Sequence, residues 1–95
     1  MNNTEESMRL LEEYHEFPGS YTFKIIGPNY PEWFNQIKAA AESVLGDIGD
    51  SLKPSASSKN MRYMSLSLEV HVKSSAQVLE VYDVLKKVPD VKMLI

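Results

Sequence analysis

Ser65, Ser67, Glu69 and His71 recur at every second position of "YMSLSLEVHV", residues 63–72, and their types and spacing come nearer to chemistry than any other set in the chain. Side chains two apart on a strand share a face, so two hydroxyls, a carboxylate and an imidazole look out together. Glu69 is spaced to pair with His71 and raise its pKa. Nucleophilic catalysis asks for more, either a Gly-x-Ser-x-Gly elbow or a histidine placed to activate a serine, and the pattern offers neither. Metal binding asks for a cluster of imidazole or thiolate ligands. The chain has only His15 and His71, the first in a tail, and no cysteine. The sequence therefore implies no metal, no cofactor and no enzyme. The face is either a contact surface for a partner, with Lys24 of an earlier strand beside it, or plain solvation.

A second candidate is the turn "GPN", residues 27–29, which leads into a helix. Backbone N–H groups at a helix N-terminus attract carboxylates and phosphates. Gly27, Pro28 and Asn29, with Trp33 to flank the ligand, would form a site for a small carboxylate. The competing reading is a tight turn followed by a tryptophan that packs. Acyl-phosphate hydrolysis would need an arginine at this turn, and Arg62 lies across the sheet. Lys53, Lys59 and Arg62 around the hairpin either hold an acidic partner or form a solvated rim.

Both candidates depend on the elements that carry them. Residues 1–16 read as an acidic N-terminal tail with the spacing of a short helix. "YTFKII" alternates as a strand, and "GPNYPEWFNQIKAAAESVLG" is a helix with Pro31 in its first turn and Gly46 at its exit. Phe34, Ile37, Ala41, Val44 and Leu45 form its apolar stripe. "SLKPSASS" is a weak strand, and Pro54 assigns it to a sheet edge because proline cannot donate to a ladder. The strand 63–72 completes a hairpin. "SSAQ" is a capping box, Ser74 with Gln77, for a helix whose apolar set is Val78, Val81, Tyr82 and Leu85. "VKMLI" is a last strand.

The order strand, helix, strand, strand, helix, strand is that of an α+β ferredoxin-like βαββαβ sandwich over residues 17–95. In it a four-stranded antiparallel sheet carries two helices on one face. RNA-binding versions set aromatics on the open face of the central strands, where this chain has Thr22, Ser65 and Ser67.

Charge points the same way. Five glutamates against Arg9 put the first sixteen residues at −4, which leaves the rest of a chain of formal charge −3 at about +1. A nearly neutral body has no electrostatic footprint for nucleic acid or anionic lipid. No stretch is apolar enough for a membrane span, no secretory leader is present, and cysteine is absent. The expectation is a cytoplasmic protein.

The pieces "FPGSYTFKIIG", "KPSASSKNMRYMSLSLEV" and "VPDVKMLI" together resemble the YbeD-like family of small bacterial proteins. The matching positions are Phe17, Pro18, Lys24, Gly27, Ser57, Ser58, Lys59, Tyr63, Ser65, Val91, Lys92 and Met93. The chain departs from the family in its hairpin loop, where "KNMRY" lacks the glycine often found there. The resemblance implies a ferredoxin-like fold akin to ACT regulatory domains and little chemistry, with a loose link in some bacteria to lipoate metabolism. Two functions follow as expectations. The first is a non-enzymatic module that meets a protein partner, or a copy of itself, through its open face or edge strand. The second is an ACT-like sensor with a carboxylate at Gly27–Asn29.

Overall fold

The computed structural model describes residues 4–57 and 62–95. Ser58, Lys59 and Asn60, which carry part of the resemblance and one of the hairpin cations, lie outside the described residues. The elements are α1 (Thr4–Tyr14), β1 (Gly19–Pro28), α2 (Pro31–Leu45), β2 (Leu52–Ser57), β3 (Tyr63–Val72), α3 (Ser75–Lys86) and β4 (Met93–Leu94). The class is α+β: the described residues form three helices and one four-stranded antiparallel sheet in the order β2-β3-β1-β4.

β1 and β3 occupy the centre and pair over ten residues, from Gly19 opposite Val72 to Pro28 opposite Tyr63. The edges are shorter. β2 pairs with β3 through a register shift between Pro54 and Ala56, and β4 meets β1 only at Ile25 and Ile26. Of the expected last strand 91–95, only two residues are strand. The hydrogen-bonded pair Lys24 and Ile95 extends the contact by one step.

Alternation sends Phe23 and Ile25 of β1 and Leu66, Leu68 and Val72 of β3 to one side, where all five are fully buried. α2 contributes Trp33, Ile37 and Ala41 to the same core, and α3 contributes Val78, Val81 and Leu85. The buried stripe of α2 thus begins one residue earlier than the spacing predicts. Trp33 is its largest member, while Phe34, Val44 and Leu45 pack only partly. Gly27 explains the shift: a Cβ there would overlap the benzo ring of Trp33, so only glycine leaves the indole room to lie over the strand.

α3 starts as its capping residues predict. Ser74 Oγ accepts from the Gln77 N–H at 3.2 Å, and Gln77 Oε1 accepts from the Lys73 N–H at 2.7 Å. The acidic N-terminal segment is helical and packs on the outside of α3. Ser75, almost wholly buried, donates its hydroxyl to the Glu12 carboxylate at 2.8 Å, and Leu11 reaches the core margin. No residue of α1 is fully buried. An isolated helix of this length is marginal in water, so its order derives from these contacts.

Candidate functional site

The helices cover one face of the sheet and leave the other open. Strand pairing sets Ser20 beside His71, Thr22 beside Glu69, Lys24 beside Ser67 and Ile26 beside Ser65. The structure therefore brings together all five residues singled out as a partner surface: Lys24, Ser65, Ser67, Glu69 and His71. Lys53 of β2 joins them, opposite Ser67. Among the described residues, Lys24, Lys53, Glu69 and His71 form no ion pair. The pairing of Glu69 with His71 suggested by their spacing is not made. No serine of the described set is hydrogen-bonded to a histidine, so the face holds no activated nucleophile.

Alternation alone gave this face too polar a character. Ile26 and its partner Met93 lie on it, and so does Ile95 opposite Lys24. Met93 and Ile95 are 52% and 62% exposed. Lys92 lies 5.8 Å from the Tyr63 ring centroid, within cation–π range. The surface is a polar centre with an apolar margin along β4. The doublet "II" and the run "MLI" hid this in the sequence, since an apolar pair on a strand always sends one member to each face.

The four turn residues have a different fate. Gly27 is buried beneath Trp33, and Trp33 itself is 0% exposed. Its indole Nε1–H has no hydrogen-bond partner among the described residues. Asn29 donates its N–H to the Arg62 carbonyl at 3.2 Å, and the Pro28 carbonyl accepts from Tyr30 at 3.1 Å. A hollow of about 260 Å³ does open at the start of α2, lined by Asn29, Tyr30, Pro31, Phe34, Asn35 and Met64. Of the four predicted ligand residues only Asn29 reaches it.

At the other end of β1 sits an aromatic cluster that pattern reading did not assemble. The Tyr21 ring packs against that of Phe23 at 4.8 Å, tilted by 56°, and meets the His15 ring edge-on at 5.0 Å. Its hydroxyl lies 3.0 Å from that of Tyr82. Burial, and then the hydrogen bond to Tyr21, push the Tyr82 phenol well above its usual range. Beside the cluster, a notch of about 430 Å³ runs along β1 between Tyr21, Tyr82 and His15 on the helix side and Thr22, Lys24 and Glu69 on the open side. A larger hollow of about 710 Å³ separates α1 from α3; of its charged lining, Asp83 pairs with Lys86 at 3.4 Å, and with Lys87 outside the hollow at 3.5 Å. Among the described residues no group of three or more acidic or histidine side chains is placed to hold a metal, and no helix is long and apolar enough to cross a membrane.

A family model described as a protein of unknown function, DUF493, matches residues 12–95. Among curated proteins, a UPF0250 protein of Buchnera aphidicola is 31% identical over 86 residues, covering 90% of this chain and 95% of its own length. The UPF0250 protein YbeD of Escherichia coli O1:K1 is 30% identical over the same span and shares.

Proposed function

The chain belongs to the DUF493 family of proteins of unknown function, and on that footing we propose that it is a cytoplasmic, non-enzymatic binding module of a regulatory kind. It meets a protein partner through the open sheet face and the strand edge beside it. One observation carries this reading: Lys24, Lys53, Glu69 and His71 stand together on an exposed sheet face without pairing among the described residues, next to an exposed apolar margin of Met93 and Ile95. Charges spaced this way are available to another molecule, and apolar area beside them gives it something to bury. The order β2-β3-β1-β4 with α2 and α3 on one face supports a ferredoxin-like description of the fold.

The test is capture of proteins from host lysate on the immobilised full chain. Ser67→Arg and His71→Glu are expected to lose what the wild type retains while keeping its thermal unfolding midpoint. Equal retention by all three proteins would remove the face from the proposal.

The hollow at the start of α2 favours a second reading, an ACT-like sensor that takes a small carboxylate near Asn29. Trp33, buried behind that turn, is a built-in reporter. Amino acids and lipoate-like carboxylates are expected to change its fluorescence under this reading, and a flat response across such a panel would end it.

A further inference from the structure

α1 meets α3 without closing against it. Glu12 accepts from the Ser75 hydroxyl at 2.8 Å and Leu11 reaches the core margin. Beside these contacts a hollow of about 330 Å³ opens between Leu10, Tyr14 and His15 on one side and Leu79 and Tyr82 of α3 on the other. The hollow of about 710 Å³ continues it, since both are lined by Ser7, Leu79 and Tyr82. Together they form one groove along the junction of the two helices. Its lip is apolar: Leu10 and Tyr14, four apart and so on one stripe of α1, are 45% and 75% exposed. Exposed apolar side chains gathered beside a groove, rather than scattered singly, mark an interaction surface.

The charge of this junction is acidic, and α1 is its source. Glu6 and Glu13 stand about one turn to either side of Leu10 on the surface of α1, and among the described residues neither forms an ion pair. Arg9 is the one cation of α1, and four glutamates against it leave the helix at −3. The α3 wall is neutral in sum, with Glu80 and Asp83 against Lys86 and Lys87.

We propose that this groove takes a basic amphipathic helix of a protein partner, laid as a third helix along α1 and α3. The surface is distinct from the open sheet face and lies on the helix side of the molecule. The partner's apolar residues, spaced three and four apart, pack on Leu10, Tyr14, Leu79 and Tyr82. Its lysines and arginines, flanking that stripe, meet Glu6 and Glu13. The partner also supplies what α1 lacks. No residue of this 11-residue helix is fully buried, and a helix so short is marginal by itself, so covering Leu10 and Tyr14 steadies it. A second copy fits less well, because the amphipathic helix it has to offer is α1 itself, and two such helices set glutamates against glutamates.

The experiment selects a display library of helical peptides with randomised surface positions on the immobilised full chain, then titrates the enriched peptides into isotope-labelled protein by NMR. Lysine and arginine flanking an apolar stripe are expected to be enriched. The amides of α1 and of the facing turns of α3 are expected to shift, and those of α1 to exchange more slowly with solvent. Leu10→Lys and Tyr14→Lys alter exposed side chains and should each weaken binding about tenfold or more, with the far-ultraviolet spectrum unchanged. Glu6→Gln combined with Glu13→Gln should weaken it about threefold or more at low salt and flatten its salt dependence. His71→Glu, on the open sheet face, should leave it unchanged. Enriched peptides that are not basic, or that bind both lysine variants as tightly as the wild type, overturn the proposal. Equal binding of a scrambled peptide of the same composition overturns it too, since general charge attraction then accounts for the result, and so do shifts confined to the sheet. A dimer in sedimentation that Leu10→Lys dissolves would put a second copy in the groove and overturn the basic partner. Failure to enrich any peptide also overturns the proposal, while the open-face reading stands or falls separately on lysate capture.

Discussion

The two faces of β3 use neighbouring residues to opposite ends. Leu66, Leu68 and Val72 are fully buried against the helices, whereas Ser65, Ser67, Glu69 and His71 look outward and, among the described residues, form no ion pair with one another. The large side chains of the closed face pack in the core, whereas among the described residues Lys24, Lys53, Glu69 and His71 of the open face form no ion pair. The difference teaches that the core and the proposed partner surface sit on opposite sides of one strand. Changes on one face should therefore leave the other nearly untouched.

The comparison is tested hardest where the closed face is tightest. Trp33→Ala is expected to cost about 3–5 kcal/mol in urea unfolding, because it empties the largest site in the core. A loss below about 1 kcal/mol would place Trp33 outside the core that defines this face. Gly27→Val attacks the same contact from the strand side and should cost about 1–3 kcal/mol through overpacking against the indole.

A middle-sized effect is expected where the closed face ends in the aromatic cluster. The Tyr82 phenol is raised above its ordinary value near 10 by burial and by Tyr21. The fold therefore favours the neutral form. That contribution is fully present below pH 10 and is lost as the pH climbs through and above it. Thermal melts should show wild-type stability falling more steeply above that pH than the stability of Tyr82→Phe, which should itself be about 1 kcal/mol less stable at neutral pH. Parallel curves would mean that neither burial nor Tyr21 raises the Tyr82 phenol.

The smallest effects belong to the open face. Ser67→Arg and His71→Glu should change unfolding free energy by less than about 0.5 kcal/mol even as they abolish capture. If either variant lowers stability by more than Gly27→Val does, the separation between the faces fails.

Much of the fold was legible because it is written in local periods. The alternation in "YMSLSLEVHV" assigns each of its side chains to a face whatever else the chain does. Pro54 identified an edge strand by its missing donor, and Ser74 with Gln77 marked where α3 begins. The candidate site was legible in its polar half for the same reason. Its apolar margin was not, because only the pairing of Ile26 with Met93 and of Lys24 with Ile95 decides which member of each apolar run faces outward. Trp33 was similarly ambiguous: a tryptophan in the first turns of an amphipathic helix suits a ligand or a core, and Gly27, six positions earlier, decides only when strand and helix are superposed.

By itself, then, the sequence determined the type and order of the elements from β1 to α3 and the composition of each strand's two faces, since these depend on residues a few positions apart. Only the tertiary structure decided that Trp33 closes over Gly27, that Tyr21 and Tyr82 join hydroxyls sixty-one positions apart, and that α1 docks on α3 through Glu12 and Ser75. Each of these is a contact between distant parts of the chain, governed by packing geometry that no local pattern encodes.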